Sequence, residues 1–184
     1  MSIYITSLAN MPKLIRRFDI EYLVSIVDAD GQPPTPTEIS SSRHHRCVVD
    51  DIVETQPGKI VPRTEHIRDL IGFLDAWDSE SSLLIHCIGG VSRSTAAALI
   101  AHTLKTSDPK QSATALRLAA PYAWPNQRIV SLADSILGLN GKLILAREEM
   151  GPASWQIDPD YAVPQLHGND AGGDKSGRYA ELEI

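Results

Sequence analysis

The stretch LLIHCIGGVSRSTAAALIAH, residues 83–102, limits the possible folds more than any other part of this chain. The apolar run LLIHC reads as a buried strand, and STAAALIAHTL (94–104) reads as a helix with so few polar residues that it packs inside the domain. Only a tight loop, CIGGVSR, separates them. In such a loop successive backbone N–H groups can point inward, and the helix N-terminus adds partial positive charge at the same place. The combination is an anion cradle. Gly89 and Gly90 supply the backbone freedom and close approach that a cradle requires.

The rest of the sequence supplies layers around that unit. IYITSL (3–8) and EYLVSIVD (21–28) read as strands, the second apolar enough for a sheet covered on both faces. MPKLIRRF between them reads as a short helix. Residues 29–46, with Gly31, Pro33, Pro34, Pro36 and several serines, read as a loop. RCVVDDI (46–52) reads as a short strand ending in two aspartates, followed by the loop ETQPGK. From Pro62 to Trp77 apolar residues recur at helical spacing, and further helices are expected near 110–119 and 126–138. Trp77 and Trp124 are expected in the core. Beyond about Glu149 the periodicity fades into Pro, Gly and Asp. The expected fold class is α/β, a central, mostly parallel sheet flanked by helices. Residues 1–149 would form the folded domain that carries the cradle and 150–184 an acidic tail, draped or disordered, whose tyrosines Tyr161 and Tyr179 are given no role.

Composition narrows the function classes. The chain has 184 residues, 42% of them hydrophobic, enough for one ordinary core. Its net charge is -6, and residues 151–184 contribute six acids against two bases, so -4 of the total lies in the tail. A nearly neutral globular part lacks the basic stripes of nucleic-acid binders. Neither a signal segment nor an apolar run of membrane-spanning length is evident, so the expectation is a cytoplasmic protein without a membrane partner. The two cysteines, Cys47 and Cys87, form neither a disulfide framework nor a zinc pattern, and no metal or cofactor is expected. The adjacent His44 and His45 diverge too much for a metal pair. Arg43, His44, His45 and Arg46 read as a solvated loop that could also line the pocket.

The residue types in the loop point to one chemistry. At the mouth of the cradle, the helix dipole, the amides and Arg93 would favour the thiolate of Cys87, a nucleophile rather than a packing residue. Arg93 carries a planar fork that matches two oxygens of a tetrahedral phosphate. The amides of Ile88, Gly89, Gly90, Val91, Ser92 and Arg93 would hold phosphate. Ser92 and Ser94 can donate to the thiolate or the ligand, and His86 suits orienting the loop better than moving protons.

His86, Cys87, Gly90, Arg93 and Ser94 match every position of the HC-x-x-G-x-x-RS string, and the chain thereby resembles the protein tyrosine phosphatase superfamily, of compact dual-specificity or bacterial tyrosine phosphatase type. IYITSLANM and APYAWPNQRIV extend the likeness over about residues 1–145. The resemblance implies hydrolysis of a phosphomonoester, such as a phosphorylated protein, through a cysteinyl phosphate. It further implies an aspartic acid on a loop after an earlier strand that protonates the leaving alcohol. Asp51 fits best and Asp50 is the alternative; the spacing to Cys87 is slightly long for the family because ETQPGKIVP is enlarged. Ser94 would stabilise the departing thiolate.

Three other readings stay open on the sequence: a rhodanese-like sulfurtransferase, a phosphate-binding pseudophosphatase, and a lipid or inositol phosphatase, although the loop offers no lysine for additional phosphates. Cys47 reads as a buried residue. If its strand neighbours the one ending at Cys87, peroxide would join the two in a disulfide. The oligomeric state is not readable.

Overall fold

In the computed structural model, which describes residues 2–154 and 179–184, the described residues form a five-stranded sheet and six α-helices. The strands are β1 (Ser2–Ser7), β2 (Tyr22–Val27), β3 (His44–Val48), β4 (Leu83–Cys87) and β5 (Tyr179–Glu183). The helices are α1 (Met11–Phe18), α2 (Thr64–Ala76), α3 (Arg93–Thr106), α4 (Pro109–Ala119), α5 (Gln127–Leu137) and α6 (Lys142–Glu149). The sheet order is β3-β2-β4-β1-β5, parallel throughout except for the antiparallel edge strand β5.

Alternation along the strands sorts side chains between two cores, because successive residues face opposite sides of a sheet. Ile3, Ile5, Val24, Ile26, Leu83 and Ile85 face a large core shared with α2 to α6. Tyr4, Leu23 and Leu84 face a smaller one closed by Met11, Leu14 and Ile15 of α1 and by Ile39. Strand β4 lies between β2 and β1, and all five of its residues are buried. Helix α3 is buried from Arg93 to Thr103, its alanines 96, 97, 98 and 101 letting α2, α4 and α5 close around it. The helix starts are capped by their own sequence. Asp108 Oδ1 accepts from the amides of Lys110 and Gln111 before α4, and Asn126 Oδ1 accepts from those of Arg128 and Ile129 before α5.

Several sequence expectations are corrected. The third strand covers 44–48 rather than 46–52. The Val49 amide still reaches Val27 O, but Asp50 turns away to exchange backbone and side-chain bonds with Ile60, so both aspartates lie outside the strand. Residues 44–46 belong to β3 instead of a loop. Arg43 pairs with Glu21 at 2.6 Å and His45 stacks on Phe73, so neither lines a pocket. Trp77 is buried as expected, with its indole N–H donating to Ser81 O, whereas Trp124 is half exposed beneath the Arg147 guanidinium. Helix α6 was not anticipated; its start is held by buried Asp134, whose oxygens accept from the amides of Gly141 and Leu143. Cys47 is separated from β4 by β2: it pairs with Ile26, while β2 pairs with β4 on its other side. Two strand spacings, about 9.5 Å, exceed the roughly 7 Å limit for a disulfide. Burial also pushes the Cys47 thiol up to about 12, so no redox partnership with Cys87 is available to it.

The sequence expectation placed no element beyond Glu149, yet Tyr179–Glu183 pairs with β1 and buries Ala180 and Leu182 in the large core. Tyr179 itself packs against Tyr4 and Phe18. Tyr161 and most of the acidic tail lie outside the described residues. Leu182→Ala is expected to cost about 2 to 5 kcal/mol in urea unfolding, the range for truncating a buried leucine; a loss no larger than that of an exposed site would show that this strand is not part of the folded unit.

Candidate active site

The loop between β4 and α3 is folded back onto the end of β1. Leu8 N donates to Cys87 O at 2.8 Å and to Ile88 O at 3.2 Å. Gly90 has φ +76°, and a Cβ there would lie 2.7 Å from the backbone carbon of Thr6, so only glycine fits. On its other side the loop is tied to the segment before α5: Trp124 N donates to Val91 O and Asn126 N to Ser92 O. Thr95 Oγ1 donates to Val91 O and Ser92 O from within α3.

Cys87 Sγ sits inside this turn, where the Gly90 amide donates to it at 3.2 Å and Ser94 Oγ lies 3.2 Å away. The cysteine is 2% exposed and Ser94 is fully buried. Ile88, Gly89, Val91 and Ser92 are partly exposed along the rim. Arg93 is 5% exposed; its Nη1 donates to Val49 O at 2.8 Å, which holds the guanidinium beside the strand end. Its buried Nε has no hydrogen-bond partner among the described residues. The nearest carboxylates to the guanidinium are Asp51 and Asp28, each at 3.9 Å.

The two aspartates have separate tasks. Asp50 Oδ2 accepts from the Ile60 amide at 2.7 Å and Oδ1 lies 3.0 Å from Lys59 Nζ. The amide and the ammonium hold the Asp50 carboxyl below its ordinary range. That carboxylate closes the base of the 51–59 loop. Asp51 points the other way: its Oδ1 accepts from Ser92 Oγ at 2.7 Å and from Asn126 Nδ2 at 2.8 Å. Thus Ser92, expected at the thiolate or ligand, is committed to Asp51. Arg128 braces the same loop through Pro62 O at 2.6 Å and Val53 O at 3.1 Å.

His86 is fully buried. Its Nδ1 lies 3.3 Å from Cys87 O, and its Nε2 lies 2.7 Å from Ser25 Oγ on β2. Burial lowers its pKa to about 4, so the ring is neutral over the physiological range. Sequence reasoning missed three contributors: Asn126, Arg128 and Asp28. Asn126 had a signal, since an Asn directly after Pro and before a helical stripe is an N-cap; its carboxamide caps α5 with the oxygen and holds Asp51 with the nitrogen. Asp28 follows β2 at the same C-terminal end of the parallel strands as Cys87, a placement that needs the strand order. Among the described residues, no group of three or more His, Cys, Asp or Glu could hold a metal ion, and no helix is long and apolar enough to cross a membrane.

No protein-family model matches the sequence, and no curated protein matches it significantly. Solved structures do match. DUSP15 superposes with a TM-score of 0.57 at 20% identity, covering 80% of this chain and 89% of its own. Human DUSP28 gives 0.57 at 17%, covering 75% and 90%. The Yvh1 phosphatase domain from Chaetomium thermophilum gives 0.53 at 19%, covering 77% and 93%. At these identities the likeness is one of fold, and it is the fold of the dual-specificity type within the protein tyrosine phosphatase superfamily.

The buried and part-buried histidines generate a pH prediction. His86 and His44 both have pKa values lowered to about 4 from 6.5 by burial, and those of His45 and His102 are lowered for the same reason. The unfolded chain therefore takes up protons first as pH falls. Stability should be full above 6.5 and decline as pH descends toward about 4, read as a falling urea midpoint. A midpoint flat across that window would mean that these rings are not held neutral.

Proposed function

We propose that the protein hydrolyses phosphate monoesters, with phosphotyrosine-bearing proteins as the foremost substrate class and dual specificity within reach, through a covalent phosphocysteine. The observation that carries this reading is the convergence of the Gly90 amide and Ser94 on Cys87 Sγ, in a loop whose Arg93 keeps a buried, unpartnered Nε. A thiol supplied with donors beside a fixed cation is suited to attack a bound anion. The family fold adds to that support.

In the first step Cys87 Sγ attacks phosphorus in line, the S–P bond forms and the bond to the ester oxygen breaks. Arg93 and the amides of residues 88–93 hold the equatorial oxygens. The Asp51 carboxyl gives its proton to the departing oxygen. Water then attacks the phosphocysteine, Asp51 takes the water's proton, and the S–P bond breaks to release inorganic phosphate. Ser94 donates to the returning thiolate. Asn126 and Ser92 fix Asp51 over the loop, while Asp50 serves the loop's own geometry. The fixed amides and Arg93 supply the positive field that a metal provides in other phosphoryl-transfer sites.

Cys87→Ser should abolish hydrolysis of p-nitrophenyl phosphate while vanadate binding persists, and wild-type activity should survive excess EDTA. Retained activity in the variant, or loss on chelation, contradicts the mechanism. A second test separates the aspartates. Asp51→Asn should lower turnover of phenyl phosphate by ~10² to 10⁴, the usual span of general acid catalysis, and lower that of p-nitrophenyl phosphate less, because nitrophenolate departs with little help. Asp50→Asn should not discriminate between the two leaving groups. The reverse pattern would move the acid to Asp50.

A further inference from the structure

The hydrogen bonds of His86 do not stop at Ser25. Ser25 Oγ is 2.7 Å from His86 Nε2 and 2.8 Å from His44 Nε2 on β3. His44 Nδ1 in turn lies 3.0 Å from Thr35 Oγ1, which accepts from Arg46 Nη2 at 3.0 Å. Strand register brings these groups together: Ser25 pairs with His86 on one side and with Arg46 on the other, leaving His44 diagonal to Ser25. An unbroken line therefore runs across three strands, from an exposed guanidinium on the edge strand to the carbonyl of Cys87.

The two ends fix its direction. A guanidinium only donates, and a carbonyl only accepts. A neutral imidazole donates from one nitrogen and accepts at the other. One arrangement then satisfies every bond: Arg46 donates to Thr35, Thr35 to His44 Nδ1, His44 Nε2 to Ser25, Ser25 to His86 Nε2, and His86 Nδ1 to Cys87 O. The arrangement requires both rings to be neutral, and burial independently lowers both pKa values to about 4. All five donors point toward the nucleophile's peptide, so their dipoles add at the Cys87 carbonyl. That carbonyl is pinned from the other side by Leu8 N at 2.8 Å.

We propose that this five-bond line is a relay that orients and polarises the Cys87 peptide, and that Thr35, His44 and Ser25 are positioning residues for the nucleophile. The proposal rests on Cys87 being the nucleophile of the proposed reaction, and it names the residues that prepare it. The charged groups beside the loop are Arg93 from α3 and, each 3.9 Å from its guanidinium, Asp51 from the loop after β3 and Asp28 after β2. Those acting on His44 are Arg46 and His45 on its own strand and His86 across the sheet. No carboxylate interrupts the described partners of the line, so its polarity is set by its two ends, the Arg46 guanidinium and the Cys87 carbonyl.

Alkylation by iodoacetamide tests this without any substrate. The full chain is treated at about pH 6 and about pH 9, and modification of Cys87 is followed by mass spectrometry. The ratio of the two rates reads how readily the thiol ionises. In Ser25→Ala and His44→Leu the rate at the lower pH, relative to the higher, should fall about three- to tenfold, the size of one hydrogen bond's influence on an ionisation. His44→Gln, whose amide can donate to Ser25 and accept from Thr35, should restore the ratio to within about twofold of wild type. Should either buried-site variant fail to fold by circular dichroism, Thr35→Val at the partly exposed end should still lower the ratio. Unchanged ratios in the folded variants, or a glutamine no better than leucine, would overturn the relay. A wild-type chain that hydrolyses no phosphomonoester yet shows these ratio changes would sink the proposed function and leave the relay standing.

Discussion

The crossing of Gly90 beneath the end of β1 is the constraint on which the site depends. A side chain there would strike the Thr6 and Ser7 backbone, and the residue's φ of +76° is one that L side chains rarely adopt. Because the loop passes so close, Leu8 can tie both Cys87 O and Ile88 O, and the turn is tight enough for the Gly90 amide to reach Cys87 Sγ. The rest of the architecture keeps that crossing in place. β4 cannot shift because β2 and β1 pair with it on both sides, and α3 cannot tilt because its small residues are enclosed by three other helices. Only an interior strand and an interior helix could present this loop so rigidly, which is why the most apolar pair of elements carries the most polar chemistry.

Around the loop, neighbouring elements divide the electrostatic work. α5 begins at Asn126, whose one carboxamide caps the helix and holds Asp51, so helix position and acid position are coupled. Asp50, one residue earlier, turns inward to Ile60 and Lys59 and shapes the loop that Asp51 caps. Two adjacent carboxylates thus differ in everything except residue type. Their separation follows from the chain after β3 ceasing to pair alongside β2 at Asp50 rather than continuing as a strand.

The elements legible in the sequence were those whose signal is local. The strand-loop-helix unit at 83–106, the stripes of α2 and α5, and the gathering of Cys87, Gly90, Arg93 and Ser94 at the turn from β4 into α3 all follow from spacing over a few residues. What depends on strand order was not legible. Cys47 and Cys87 look like candidates for neighbouring strands until β2 is found between them. Ser25, His44 and Thr35 come from a strand, an edge strand and a loop, and no spacing links them to His86. β5 was hidden because YAELE lies beyond a Pro- and Gly-rich stretch and buries only two residues on its inner face, Ala180 and Leu182. Trp124 misled for the opposite reason: a large aromatic near a helix reads as core, yet here its backbone ties the loop after Cys87 while its ring lies under Arg147.

The central claim is that Cys87 itself carries the phosphoryl group during turnover, which makes the loop a covalent site and not merely an anion cradle. Rapid acid quench of the protein with a radiolabelled phosphomonoester, followed by peptide mapping, tests this most directly. The account predicts label on the peptide that contains Cys87, at the thiol, with none on the same peptide from Cys87→Ser. Turnover that leaves no label on Cys87, or label carried instead by Ser92, Ser94 or His86, would contradict it.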